Sequence, residues 1–226
     1  MIYVIDTANI DLIRHINEYY PISGVTTNPS LIAKEKTDFF GRLKEIRACI
    51  GPEKILCGQT LQTSWDKIVY EGELMNNEIG GNFYVKVPIS EDGLKACKEL
   101  KKEGIGVLMT AIFSPTQALM AATAGADFVA PYVNRIDNIT GDGVGVIAEI
   151  VNQFGLYELP CKVMAASFKN IQQVNDCASV GCHIATIPAD LYKTLISHPL
   201  TDVAVAGFKK DWAGVYGDKN ICDFKG

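Results

Sequence analysis

Short apolar runs alternate with longer amphipathic segments along all 226 residues of the chain. The runs are rich in β-branched and aromatic residues, as strands are, while the longer segments carry apolar residues at helical spacing. Strands that alternate with helices favour a parallel sheet, because two parallel strands must be joined by a crossover connection. The predicted strands are Ile2–Thr7, Gly24–Thr27, Ile55–Gln59, Phe83–Pro88, Gly106–Ala111, Phe128–Val133, Lys162–Ala166 and His183–Ile187. The predicted helices are Ile10–Tyr20, Phe39–Ile50, Ser64–Asn77, Glu91–Lys102, Pro115–Ala124, Val144–Phe154, Asn170–Val180 and Ala189–Ser197.

Eight such units, with no linker or low-complexity tract, predict an α/β fold of the (β/α)8 TIM-barrel type, as a single domain over residues 1–226. The helix-boundary signals agree. Ser90 precedes two acidic residues, Ser114 precedes Pro115, and glycines such as Gly125 stand where helices should end. A doubly wound open sheet is the alternative. No Gly-x-Gly-x-x-Gly motif follows the first strand, which disfavours its dinucleotide-binding version.

One further amphipathic segment, Asp202–Tyr216, follows the eight units and predicts an additional C-terminal helix. Its aromatic residues Phe208, Trp212 and Tyr216 recur every fourth residue and form a stripe on one face. Two interpretations are equally open: the stripe covers the chain's own barrel, or it packs on a neighbouring subunit.

Composition and charge disfavour several classes of partner. A net charge of −5 and a pI near 5.3 argue against a nucleic-acid surface. No run of 18 apolar residues is present, so no membrane span is expected, and the N-terminus enters a strand at once without a signal-peptide layout. Seven dispersed cysteines without a Cys-x-x-Cys motif are typical of free thiols in a reducing cytoplasm. The three histidines, His15, His183 and His198, form no metal-binding motif.

Lys86 stands in the middle of an apolar strand, where an ammonium group is out of place. Alternation puts it on one face with Tyr84 and Pro88. A buried, unpaired ammonium is costly, and the usual escape is loss of its proton. A neutral lysine is a nucleophile toward carbonyl carbon, the first step of Schiff-base chemistry. The plainer alternative is a lysine that reaches water or pairs with a carboxylate.

Polar residues collect where the predicted strands end, which in a barrel is the face that carries the chemistry. Several have plainer explanations: Asn28 could cap a helix, Thr110 could bond to backbone, Arg135 could pair with Asp137, and Lys169 could be solvated. A hydroxyl, a cation and helix amides after strand seven nevertheless form a plausible phosphate site. The candidate site residues are Asp6, Thr26, Asn28, Gln59, Lys86, Thr110, Tyr132, Arg135, Ser167 and Lys169.

Four ordered motifs resemble those of the transaldolase family. They are Val25-Thr26-Thr27-Asn28-Pro29-Ser30, Val85-Lys86-Val87-Pro88, Ala130-Pro131-Tyr132-Val133-Asn134-Arg135-Ile136-Asp137 and Ala165-Ala166-Ser167-Phe168-Lys169. The resemblance runs nearly end to end, and the chain is similar to the short-chain subgroup that includes fructose-6-phosphate aldolase.

The resemblance implies a role for each candidate. Lys86 is then the Schiff-base lysine, Asp6, Gln59 and Tyr132 hold a catalytic water and move protons, and Thr26, Asn28 and Thr110 contact the ketose. Arg135, Ser167 and Lys169 bind a phosphate. It also implies a sugar-phosphate substrate, no metal or other cofactor, and a homo-oligomer, such as a decamer of two pentameric rings, that uses the C-terminal helix.

Two positions favour one branch of the family. Transaldolases carry glutamate where this chain has Gln59, and typically phenylalanine where it has Tyr132. The Gln and Tyr pair resembles the aldolase branch, which releases free dihydroxyacetone, because a phenol offers a proton route to the enamine. Transaldolase is the nearest alternative. A metal-dependent sugar-phosphate isomerase and a catalytically silent barrel are more distant ones.

Overall fold

The computed structural model describes residues 1–225 and contains two compact units, one from Met1 to Leu191 and one from Tyr192 onward. In the first unit all eight strands pair in parallel in the order β1 to β8, and β8 pairs back to β1. The predicted (β/α)8 barrel is therefore confirmed. No helix within residues 1–225 is long and apolar enough to cross a membrane.

The strands are β1 Ile2–Asp6, β2 Ile22–Thr26, β3 Ile55–Gln59, β4 Phe83–Pro88, β5 Gly106–Ile112, β6 Phe128–Pro131, β7 Lys162–Ala165 and β8 Ile184–Pro188. The helices of the first unit are α1 Ile10–Tyr19, α2 Pro29–Glu35, α3 Phe39–Ile50, α4 Trp65–Ile79, α5 Glu91–Lys102, α6 Pro115–Thr123, α7 Val133–Asp137, α8 Gly143–Leu156 and α9 Ile171–Ser179, followed by a 3₁₀ turn, Ala189–Leu191. The second unit contains α10 Tyr192–Ile196, α11 Pro199–Tyr216 and a 3₁₀ turn, Ile221–Phe224.

Several elements differ from the prediction, and three of the differences stand out. Helix α2 was not predicted, although Asn28 caps it and Pro29 occupies its first turn. Strand β6 ends at Pro131 and α7 begins at Val133, where the amide of Ile136 bonds to the carbonyl of Tyr132 and closes the first helical turn. The C-terminal helix starts at Pro199 instead of Asp202, because His198 accepts a hydrogen bond from the amide of Leu200.

The interior of the barrel is filled by an apolar cluster in its lower layers. Its buried members are Val4, Ile55, Cys57, Leu108, Phe128, Ala130, Met164, Ala166 and Ile184, with Tyr84 and Tyr132 packed against them. Side chains two residues apart in a strand share a face. The next inward-facing position on β1, β3, β4, β5 and β8 is therefore Asp6, Gln59, Lys86, Thr110 and Thr186 respectively. The strand alternation thus places a polar layer directly above an apolar plug.

Two local features shape this interior. Gly106 leaves room for the ring of Tyr84, since a Cβ at Gly106 would lie 2.6 Å from that ring. In β5 the pairing register with β6 shifts between Thr110 and Ile112, and Ala111 adopts a left-handed φ of 57°. An extra residue in a strand re-aims its neighbours, as β-bulges near active sites commonly do.

The second unit carries an 18-residue helix, α11, in which no residue is buried. Its last turns pack within the unit: Trp212 lies 4.6 Å from Tyr216 and 5.9 Å from Phe224 between ring centroids. The indole of Trp212 also donates to the carbonyl of Lys219. Aliphatic and aromatic side chains along α11 stay exposed, among them Leu200, Val203, Phe208 and Val215.

Candidate active site

A cavity of about 600 Å³ opens at the carboxyl ends of the strands. Eight of the ten residues predicted from the sequence line it: Asp6, Asn28, Gln59, Lys86, Tyr132, Arg135, Ser167 and Lys169. The other two, Thr26 and Thr110, are buried, and their hydroxyls bond to Asp6 and Tyr132. The structure thus brings the whole candidate set to one place, while the role of each residue stays a prediction.

Lys86 is the buried lysine of the site, with 3% of its surface exposed. Within residues 1–225 its side chain forms no salt bridge and no hydrogen bond, and the six ion pairs found there involve other residues. The alternative in which Lys86 pairs permanently with a carboxylate therefore has no support in the structure. The amine lines the cavity, where a carbonyl compound could meet it.

Asp6 is the carboxylate of the same cavity. The hydroxyl of Thr26 donates to its Oδ1 at 2.8 Å, and Thr26 is in turn hydrogen-bonded to Thr186 on β8. Burial raises the pKa of Asp6, while the charge of Lys86 and the Thr26 hydrogen bond act in the opposite direction. Asp6 and Lys86 are thus electrostatically coupled without direct contact. Nearby Cys57 adds no charge at neutral pH, because burial raises the pKa of its thiol to about 12.

Tyr132 supplies the phenol. Its hydroxyl lies 2.9 Å from the Oγ1 of Thr110, and its ring contacts Phe113 edge-on at 5.5 Å between centroids. The guanidinium carbon of Arg135 lies 4.7 Å from the centre of the same ring. These three contacts hold the phenol in one orientation, which a proton-transfer group requires.

The rim of the cavity is cationic. Lys34, Arg135 and Lys169 all line it, and none of them forms an ion pair within the described part of the chain. The predicted alternative of an Arg135–Asp137 salt bridge is not seen. Asp137 instead accepts hydrogen bonds from the amide of Gly143 and the side chain of Gln173. Unpaired cations at the mouth of a cavity favour an anionic ligand.

Two more lining residues have defined geometry. Asn28 caps α2, because its Oδ1 accepts a hydrogen bond from the amide of Leu31 at 3.0 Å. This agrees with the capping role that was its plainer interpretation. Asn28 also lines the cavity. Ser167 has a left-handed φ of 64°, as Ala111 nearby has one of 57°. Non-glycine residues in this region carry a cost of order 1 kcal/mol and cluster at functional sites.

Sequence reasoning missed two residues of the site. Lys34 was overlooked because helix α2 was overlooked, although the Asn28-Pro29 pair signals a helix start. Thr186 was overlooked because threonine is an ordinary residue in a strand. The available signal was its position two residues after Ile184, which faces inward. Within residues 1–225 no group of three or more His, Cys, Asp or Glu side chains is arranged to hold a metal ion.

Comparison with known proteins identifies the family. The chain matches the family Transaldolase/Fructose-6-phosphate aldolase over residues 3–219.

The chain belongs to the transaldolase/fructose-6-phosphate aldolase family.

Among curated relatives of this family member, a "Probable transaldolase" of Clostridium acetobutylicum is 44% identical over 209 residues, covering 92% of this chain and 95% of the relative. A solved structure described as "Native KDPGal structure" is similar with a TM-score of 0.59 and 15% sequence identity, covering 94% of each chain. At that identity the likeness concerns the fold alone. The resemblance that the four sequence motifs indicated is thus confirmed at the level of the family.

Proposed function

We propose that this family member is a class I aldolase that reversibly cleaves fructose 6-phosphate to dihydroxyacetone and glyceraldehyde 3-phosphate. One observation carries the proposal: a buried lysine without a carboxylate partner faces a cavity of about 600 Å³ whose rim holds three unpaired cations. A nucleophilic amine and an anion-binding rim are what Schiff-base chemistry on a sugar phosphate needs.

The proposed reaction begins when the free amine of Lys86 adds to the C2 ketone. Loss of water from the carbinolamine gives an iminium ion, which accepts the electron pair when the C3–C4 bond breaks. Tyr132, through a water held by Asp6 and Gln59, removes the proton of the C4 hydroxyl, and glyceraldehyde 3-phosphate leaves. Protonation of the enamine at C3 and hydrolysis of the imine release dihydroxyacetone and restore Lys86.

The substrate's phosphate lies, in this proposal, against Arg135, Ser167 and Lys169. Arg135 is oriented by its stacking on Tyr132, so the group that binds the phosphate is coupled to the group that moves the proton. Asn28 contacts the ketose hydroxyls. Thr26 and Thr110, which lie behind the cavity wall, act through Asp6 and Tyr132.

Borohydride trapping tests the proposal. Reduction in the presence of fructose 6-phosphate should fix a three-carbon or six-carbon adduct on Lys86, detected by mass spectrometry of peptides. Lys86→Met removes the amine with little change in volume and should abolish the adduct. Lys162→Met is the matched control, because Lys162 begins β7 at the opposite end of the barrel. Absence of an adduct on Lys86 in folded protein at saturating substrate would refute the mechanism.

Transaldolase is the second candidate, favoured by the name of the 44% identical relative. It shares the covalent intermediate but hands the three-carbon unit to an acceptor aldehyde. Measuring free dihydroxyacetone with and without erythrose 4-phosphate separates the two activities. Release that does not need the acceptor supports the aldolase, and strict dependence on the acceptor supports the transaldolase.

We further propose that the protein is cytoplasmic and forms a homo-oligomer, such as a decamer of two pentameric rings, through α11. All seven cysteines are free thiols, which suits a reducing compartment. Phe208 and Val215 on α11 are 71% and 74% exposed, and apolar side chains left so open are typical of association surfaces. Phe208→Glu with Val215→Glu should lower the mass in sedimentation velocity, whereas Lys209→Glu on the same helix should not. An unchanged mass in the double variant would contradict the role of α11.

A further inference from the structure

Thr186 is a buried residue of β8 that none of the mechanistic steps uses. It is 1% exposed, and its inward position follows Ile184 of the apolar plug. Its hydroxyl forms a hydrogen bond with the hydroxyl of Thr26, which is fully buried. Strand β1 lies between β2 and β8, so this bond passes across the inside of the barrel over β1.

The direction of the bond follows from counting protons. A threonine hydroxyl has one hydrogen to donate. The hydroxyl of Thr26 gives its hydrogen to Oδ1 of Asp6 at 2.8 Å, so in the bond with Thr186 it must accept. Thr186 is therefore the donor. The three side chains form a one-way chain of hydrogen bonds that ends on a carboxylate, the group that gains most from accepting them.

We propose that Thr186 is a positioning residue for Asp6: by donating to Thr26, it holds the Thr26 hydroxyl as a donor toward the Asp6 carboxylate. Without the Thr186 hydroxyl, the Thr26 oxygen no longer accepts a hydrogen bond from it, and the bond from Thr26 to Asp6 loses the strengthening that chained hydrogen bonds give one another. The catalytic side of this role rests on the proposed aldolase function, in which Asp6 holds the water. The hydrogen bonds that link Thr186, Thr26 and Asp6 do not depend on that function.

The ionisable groups that face Asp6 stay the same when Thr186 is changed. Lys86 on β4 lowers the pKa of Asp6, and Cys57 on β3 is neutral because burial raises its pKa to about 12. Tyr132, Arg135, Lys34 and Lys169 line the same cavity from other elements. A change in the titration of Asp6 in a Thr186 variant can therefore be assigned to the hydrogen-bond chain.

The test is the titration of the Asp6 carboxyl carbon by ¹³C NMR, in protein labelled at aspartate and assigned with Asp6→Asn. Thr186→Val should move the midpoint upward by about 0.1 to 0.7 pH units, as expected from losing 10–30% of a hydrogen bond to a charged group. Thr186→Ser should restore the wild-type midpoint. Thr27→Val is the matched control, because the Thr27 hydroxyl is equally buried but donates to the carbonyl of Cys57.

The kinetic counterpart uses the same variants. The acid limb of the pH–kcat profile should shift with the Asp6 midpoint in Thr186→Val, with KM little changed and the Lys86 adduct still formed. Should valine not be tolerated, Thr186→Ala removes the same hydroxyl without crowding. An unmoved midpoint, an equal shift in Thr27→Val, or a Ser variant that behaves like Val would overturn the proposal. A wild-type protein that forms no adduct refutes the aldolase function instead, and the NMR titration then still decides the role of Thr186.

Discussion

Replacement of Tyr132 by phenylalanine should separate the structural role of its hydroxyl from the catalytic role that we propose for it. The first is structural: the phenol is the hydrogen-bond partner of Thr110, which is 1% exposed. Leaving a buried hydroxyl without its partner costs about 1–3 kcal/mol, and because Tyr132 itself is only half-buried we expect about 1–2 kcal/mol. The ring contacts with Phe113 and Arg135 are kept in Tyr132→Phe, so no packing loss adds to this.

The second effect is the loss of the proton-transfer role that the proposed mechanism assigns to the phenol. Loss of a positioned proton-transfer group lowers rates by about 10²–10⁴-fold. Tyr132→Phe should therefore slow release of glyceraldehyde 3-phosphate from fructose 6-phosphate by that factor. The rate of borohydride-trapped imine formation with dihydroxyacetone should fall much less, because Lys86 and the cavity are unchanged. A coupled assay of the aldehyde and a trapping time course measure the two steps separately.

Thr110→Val is the matched control for this prediction. It removes the same hydrogen bond but leaves the phenol, so unfolding by urea should show a similar loss of stability while cleavage suffers less than in Tyr132→Phe. The double variant should cost less than the sum of the singles, because both remove one shared bond. Equal losses of imine formation and cleavage in Tyr132→Phe would contradict the assigned role, as would a Thr110→Val variant as slow as Tyr132→Phe.

Three further predictions concern the remaining groups of the cavity. Burial raises the pKa of Asp6 above its ordinary value of 3.8, so the native state binds its proton more tightly than the unfolded state does, and the ionised group lowers stability at neutral pH. Asp6→Asn should therefore be more stable than wild type in urea at pH 7, with the gain fading as pH falls through the raised pKa and vanishing below about 3.8; a gain that grows in acid would contradict this sign. Arg135→Leu should raise KM for fructose 6-phosphate about 10- to 100-fold, the worth of a charge-assisted hydrogen bond, and leave KM for dihydroxyacetone unchanged in steady-state assays. Gln59→Glu should raise transfer to erythrose 4-phosphate relative to dihydroxyacetone release, and an unchanged product ratio would remove the reason for preferring the aldolase.

Much of the fold and of the site was predictable because the relevant information is local. Strand alternation depends only on neighbours two residues apart, so the sequence places Lys86 on one face with Tyr84, Asp6 with Val4 and Gln59 with Cys57. The structure shows that these faces point into the barrel. Repetition of the strand–helix unit eight times was enough to indicate closure into a barrel. Closure then brings the ends of all strands to one face, so eight of ten candidates met in one cavity.

Which side chains bond to each other was decided only by the tertiary structure. The pairs Thr110–Tyr132 and Thr26–Thr186 are 22 and 160 residues apart in the chain, and no local pattern predicts a partner across a closed sheet. Arg135 likewise forms no salt bridge with Asp137, because Asp137 accepts a hydrogen bond from Gln173, which is 36 residues away in the chain.

Local sequence therefore determined which residues of a strand share a face, since pleating is a property of each strand alone. The three-dimensional packing decided which face points into the barrel and what its side chains meet: which carboxylate lies near the amine, which hydroxyl orients it, and which cations remain unpaired at the rim. Those outcomes depend on the stagger of strands around a closed cylinder and on competition among distant groups for the same hydrogen-bond partners.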